Sequence, residues 1–156
     1  MTKAFNWQQV FKVLGVLLIT EALFMMLAAF VSYIYDGNDF EAIIESAIIT
    51  TLAGASGVLI GGNSTKHFGT REGYLLVGLV WIVFSIFGML PFRLSYYIPN
   101  IADAFFETMS GFTTTGATIL TDIEALPHGL LFWRSMLQWL GGMGIVVLSL
   151  AILPMF

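Results

Sequence analysis

Met109-Ser110-Gly111-Phe112-Thr113-Thr114-Thr115-Gly116-Ala117-Thr118 holds four threonines and two glycines in a chain that is otherwise largely apolar. The stretch lies between two long apolar runs, Tyr74–Leu90 and Gly129–Met155. A short amphipathic piece, Ile101–Ser110, comes immediately before it. As a helix, its ~10 residues would cover ~15 Å, half the hydrocarbon thickness of a bilayer. A half-crossing helix, then a polar strand, then a full-crossing helix is the pattern of a re-entrant pore loop. Irregular backbone at membrane depth is tolerated only inside protein or beside water. Backbone carbonyls placed there can replace an ion's hydration shell.

The rest of the composition agrees with a bilayer setting. Of 156 residues, 58% are hydrophobic and 10% charged, and the mean hydropathy is +0.88. Soluble domains carry roughly 25% charge. The expected fold class is therefore an all-α integral membrane protein. A net charge of −4 and a pI near 4.9 argue against nucleic acid as a partner, since its binders need a basic face. Without cysteine there are no disulfides, thiolate metal sites or cysteine nucleophiles. No phosphate-binding glycine loop is present, and the acids and histidines are scattered, so the chain does not read as an enzyme. His67 and His128 lack metal-ligand neighbours, and no cofactor is expected.

Taken in order, Phe11–Tyr35 is a first span, long enough to cross. It exceeds the ~7–15 residues of a signal-peptide core. Asp36-Gly37-Asn38-Asp39 is a turn by composition. Ala42–Gly62 is a second span, with Ser46, Thr50, Gly54, Gly57 and Gly61 three or four apart. Such a stripe of small residues lets helix backbones approach closely. A polar loop, Asn63–Glu72, leads to the third span, Tyr74–Leu90, ended by Pro91. After the interfacial linker Phe92–Asn100 come the short helix, the threonine–glycine strand, an acidic loop Thr121–Pro127 and a fourth span from Gly129.

Lys3, Lys12, Lys66 and Arg71 fall on one side of this alternation, and Arg93 and Arg134 on the other. The positive-inside rule then places both termini in the cytoplasm and opens the threonine–glycine strand to the outside. Asp36, Asp39, Asp122 and Glu124 would lie near an outer mouth, where acids concentrate cations by focusing the field.

Ala104-Phe105-Phe106-Glu107-Thr108-Met109-Ser110-Gly111-Phe112-Thr113-Thr114-Thr115-Gly116-Ala117 resembles the first pore loop of the Trk/Ktr/HKT potassium transporter family. Phe132-Trp133-Arg134 and Gln138-Trp139-Leu140-Gly141-Gly142-Met143-Gly144-Ile145 resemble the start of the helix that follows it in that family. Arg71-Glu72-Gly73-Tyr74 and Leu90-Pro91-Phe92 fit the helix before it. The first two spans look like the extra N-terminal hairpin of the TrkH/TrkG branch. The resemblance divides the chain into a hairpin at 1–71 and one helix–pore-loop–helix unit at 72–156, with a pore helix at about 101–110 and a filter at about 111–118.

The family builds four such units around one path, and this chain contains one. Either it is a piece of a longer chain or four copies assemble. Its end inside an apolar run favours a piece. By resemblance the activity is potassium uptake in the bacterial inner membrane, in company with three further pore units. The same resemblance implies membrane lipid, a homodimer and a cytosolic nucleotide-binding regulatory subunit as partners. Thr113, Thr114, Thr115 and Gly116 would ligate the permeant potassium ion. In plant relatives serine at the position of Gly116 goes with sodium preference, so glycine here implies potassium. The other classes left open are a non-conducting membrane scaffold or assembly subunit, and a secondary transporter of another monovalent cation. The latter would show two interrupted helices, and one interruption is seen.

Other residues have specific expectations. Asp103 is a candidate N-cap of the short helix, whose C-terminal end would favour a cation through its dipole. Glu107 and Arg134 are expected to pair and to brace the loop. Gly141, Gly142 and Gly144 would let the fourth span pass close behind the filter. Trp81, Trp133 and Trp139 read as packing or interface anchors. Glu21, near the middle of the first span, costs ~2.5–3.5 kcal/mol on insertion scales. A helix-packing or protonated role suits its peripheral span.

Overall fold

Glycine against glycine sets the spacing of the first two helices, α1 (Trp7–Ile34) and α2 (Phe40–Gly61). A Cβ on Gly15 would stand 2.5 Å from the Gly54 carbonyl oxygen, and one on Gly54 2.8 Å from the Gly15 carbonyl. The stripe continues at Gly57 and Gly61, which face the backbones of Phe11 and Gln8. Ser46 and Thr50 are buried in the same helix and return their hydroxyls to the carbonyls of Ala42 and Ser46, at 2.6 and 2.7 Å. No polar group from the stripe is thereby left unsatisfied in an apolar seam.

The computed structural model describes residues 6–62 and 70–152, with the backbone alone at 70–72 and 147–152. Lys3, the loop carrying Lys66 and His67, and the last residues of the chain lie outside the described residues. After the hairpin come α3 (Thr70–Gly88), α4 (Leu90–Leu94), α5 (Ile101–Phe112) and α6 (His128–Ile152). Among the described residues, three helical stretches are long and apolar enough to cross a membrane: Trp7–Ile34, Phe40–Gly61 and Gly73–Leu94. The 25 residues of α6 give it a comparable length, ~37 Å. The described chain is helical throughout its regular structure, as the composition requires of a bilayer protein.

The third span does not stop at Pro91. Proline lacks an N–H and its ring crowds the carbonyl four residues back, here Phe87. The helix therefore steps at Met89 and resumes as α4, with Pro91 in its first turn. The step leaves the Gly88 carbonyl to be taken by the Trp133 indole N–H of α6 at 2.9 Å.

α5 packs between α3 and α6, α4 lies on α2, and α1 runs beside both α6 and α3. One buried core joins the hairpin to the later helices, with Met25 and Ile43 packed in the same cluster as Phe92, Phe112, Leu130 and Trp133. At one end of the bundle the α1–α2 turn meets the loop before α5 and the first turn of α6. Asn38 bonds Tyr97 at 3.2 Å, and Asp39 accepts the Leu130 backbone N–H at 2.7 Å.

If α1 and α2 are held by backbone contact at the stripe, Gly54→Ala should lower the stability of the detergent-solubilised chain by about 1–3 kcal/mol. Gly78→Ala, where nothing lies within 4 Å of the new methyl, should leave the thermal midpoint unchanged or slightly raised. Equal midpoints for the two variants would show that the contact is not tight.

Candidate functional site

α5 begins on Asn100, whose side chain accepts the Ala102 N–H at 2.9 Å. Asp103, expected as the N-cap, instead sits in the first turn. There its charge still favours the positive end of the helix. The helix runs two residues beyond the expected Ser110, to Phe112. It is half-crossing in length, with buried Ala104, Glu107, Thr108 and Ser110 on its inner side.

Beyond Phe112 the backbone does not become a plain extended strand. Thr113 has φ −78°, Thr114 +54° and Gly116 +75°. Thr115 is not among the positive-φ residues, so the sign alternates at each step from Thr113 to Gly116. Left-handed φ is natural for glycine and strained for a β-branched threonine. Three N–H groups in succession turn back to the end of α5: Thr113 to Met109, Thr114 to Gly111 and Thr115 to Ser110, at 2.8, 2.9 and 3.0 Å. The Ser110 hydroxyl reaches forward to the Ala117 carbonyl at 2.6 Å. Among the described residues, no donor meets the carbonyl oxygens of Thr113, Thr114, Thr115 or Gly116. All four residues are exposed.

Glu107 holds the far end of this turn. It is 2% exposed, and its carboxylate accepts from the Thr118 hydroxyl at 2.9 Å, the Ile119 N–H at 3.0 Å and the Arg134 guanidinium at 2.7 Å. The expected pairing with Arg134 is thus formed, and the loop is tied through it to α6. The Thr113 hydroxyl bonds the Met109 carbonyl and lies 2.8 Å from the Thr115 hydroxyl. Both hydroxyls are thus bonded within the turn.

The glycines of α6 divide. A Cβ on Gly141 would collide with the Phe112 carbonyl, so this glycine permits the close pass behind the loop. Gly142 and Gly144 have no neighbour nearer than 3.8 and 4.0 Å and are not needed for it. Trp133 is fully buried, Trp81 stands edge-on to Phe112, and Trp139 is exposed beside Phe24. His128 stacks on Tyr35 at 4.2 Å. No group of three or more possible metal-ligating side chains occurs among the described residues.

Asp39 corrects one expectation. It is fully buried, bonded to the Ser32 hydroxyl and seated on the N-terminal turn of α6 through Leu130. It therefore caps a helix 91 residues away in sequence and does not act as a mouth charge, whereas Asp122 and Glu124 remain exposed. Nothing local could reveal this, because the two partners meet only in the folded bundle. Asn100, directly before the helix, could have been read as the cap from the sequence.

Fold and site together define a pore-loop membrane protein. Residues 39–156 match TrkH, described as a cation transport protein, and the chain belongs to this family. That makes it a member of a transport family rather than an enzyme family. It is 41% identical over 154 residues to the Trk system potassium uptake protein TrkH of Escherichia coli K12, covering 96% of this chain and 31% of the relative. To the Halomonas elongata protein of the same name it is 40% identical over 148 residues, covering 94% and 31%. The crystal structure of the potassium transporter TrkH from Vibrio parahaemolyticus matches with a TM-score of 0.89 at 36% identity, over 96% of this chain and 32% of that one. The chain spans about a third of the length of these relatives.

Removing one partner of a buried charged pair costs about 3–5 kcal/mol, so Glu107→Ala, which strands three donors, should lower the unfolding midpoint strongly. Thr118→Val should cost about 1.5–3 kcal/mol for a lost hydrogen bond to a charged group. Thr118→Ser keeps that bond and should match the parent. Denaturant titration of the three variants in one detergent checks the order.

Proposed function

We propose that this chain supplies one filter-bearing unit of a potassium-translocating membrane protein of a Trk-type uptake system. The four consecutive free carbonyls from Thr113 to Gly116 carry the reading. In an extended strand successive carbonyls point to opposite sides, whereas alternation in the sign of φ can carry neighbours to one side. A dehydrated cation needs several oxygens converging in that way. The end of α5 adds the negative pole of a helix dipole, a fraction of a kcal/mol in a cation's favour. The ion is proposed as potassium because the similar proteins named above are potassium uptake proteins or transporters.

On this reading residues 1–71 form the added hairpin and 72–156 the pore unit. Three more such units complete the ring, the protein lies in a bacterial inner membrane as a dimer, and a cytosolic nucleotide-binding subunit regulates it. The loops gathered around Asn38, Tyr97 and Leu130 face outward. A non-conducting scaffold would have no use for four unpaired carbonyls on a strained turn, and a secondary transporter of another monovalent cation would not require this ring.

A single unit leaves most of the ring open. The purified 156-residue chain, monomeric in liposomes, should give no potassium flux. Flux from a strictly monomeric species would overturn the reading. Selectivity is tested by grafting the chain in place of the corresponding third of the Escherichia coli relative, in cells lacking other potassium uptake. Gly116→Ser places a side chain at left-handed φ, at a cost of roughly 1–2 kcal/mol. Its Cβ meets no atom of this unit within 4 Å, so the side chain projects into space the remaining units would share. The rubidium-to-sodium uptake ratio should fall about tenfold, the equivalent of ~1.4 kcal/mol. An unchanged ratio in a well-expressed variant would show that this loop does not form the filter.

A further inference from the structure

Gly116 is bracketed by two bonds to one residue. The Ser110 carbonyl accepts the Thr115 N–H at 3.0 Å, and the Ser110 hydroxyl donates to the Ala117 carbonyl at 2.6 Å. Between those two bonds the backbone carries the carbonyls of Thr115 and Gly116, which meet no donor among the described residues. Packing does not orient Gly116. A Cβ there would touch no atom within 4 Å, and glycine at φ +75° is free to turn. Among the described residues, no other side chain bonds the backbone from Thr114 to Ala117.

The direction of the Ser110 hydroxyl is itself informative. Serine and threonine inside a helix commonly bond back to a carbonyl three or four residues before them. Thr108 does so to Ala104, and Thr113, just past the helix end, to Met109, both at 2.8 Å. Ser110 is buried in the same helix, yet its hydroxyl reaches seven residues forward. The carbonyl it takes is the next one after Gly116, so the row of free carbonyls stops there.

We propose that Ser110 is a positioning residue for the filter. Its hydroxyl turns the Ala117 carbonyl back toward α5, ends the coordinating row at Gly116 and holds the Thr115 and Gly116 carbonyls at their angle to the ion. The inference rests on the reading of this loop as a filter. Behind Gly116 and Ala117, against Arg134 and Gln138, lies a cavity of about 10 Å³, room for about one water. Without the hydroxyl, the Ala117 carbonyl therefore exchanges a fixed donor for a mobile one, and the loop folds but loses its definition.

The test uses the chimera with the Escherichia coli relative and compares rubidium and sodium uptake at matched expression. Ser110→Ala should lower the rubidium-to-sodium ratio about fivefold, the scale of one net hydrogen bond. Ser110→Thr, which keeps the hydroxyl, should retain most of the parent ratio. Gly54→Ala strains the hairpin far from the loop and should leave the ratio unchanged. An equal fall in Gly54→Ala would show that selectivity merely follows stability, and an equal fall in Ser110→Thr would trace the effect to packing; either overturns the inference. Gly116→Ser is measured alongside. If it lowers the ratio and Ser110→Ala does not, the positioning role is refuted and the filter reading stands. If neither variant changes the ratio, both are refuted.

Discussion

One carboxylate holds the site in place. Glu107 lies inside the bundle and gathers a hydroxyl and a backbone N–H from Thr118 and Ile119 and a guanidinium from Arg134. An ionised carboxylate is acceptor-only, and in a low-dielectric interior it demands donors. The chain leaving α5 has to double back to supply two of them. With Thr118 and Ile119 anchored there, and the N–H groups of Thr113 to Thr115 folded onto the end of α5, the carbonyls between are left on the open side. The free oxygens thus follow from satisfying the groups around them. The strained φ of Thr114 is tolerated because bonds on both sides over-determine it.

The second support comes from the hairpin. Asp39 lies in the α1–α2 turn, yet its carboxylate serves the first turn of α6, where unpaired N–H groups and the helix dipole both favour negative charge. Gly129 leaves room for it, since a Cβ there would stand 2.5 Å from Asp39 Oδ2. The hairpin is therefore joined to the pore unit by a polar clamp at the loop end as well as by the shared apolar core. The position of α6 then fixes Arg134 opposite Glu107, and Gly141 opposite Phe112.

Much of this was legible in the residues. Apolar runs of bilayer length announce membrane helices, because lipid offers no hydrogen bonds and the chain must satisfy its own. The short Ile101–Ser110 piece announces a half crossing for the same reason of length. Gly54 and Gly57 show their packing role through spacing alone. Glu107 and Arg134 could be paired from sequence because an acid and a base at one membrane depth have few other partners. Each of these inferences uses a local property, either a period, a length or a charge in oil.

What the sequence by itself determined was the class of element and the place of the loop. The tertiary structure alone decided how particular groups are satisfied. Asp39 looked like a solvated turn acid and proved to cap α6, since its partner is distant in the chain. The span expected to end at Pro91 steps and continues, and the Trp133 indole N–H, distant in the chain, donates to the released Gly88 carbonyl. Gly142 and Gly144 looked equivalent to Gly141, but only Gly141 faces the Phe112 carbonyl. Composition shows what a residue can bond or permit. Which neighbour arrives to use that capacity is set by the packing of helices against one another, and so could be read only from the folded chain.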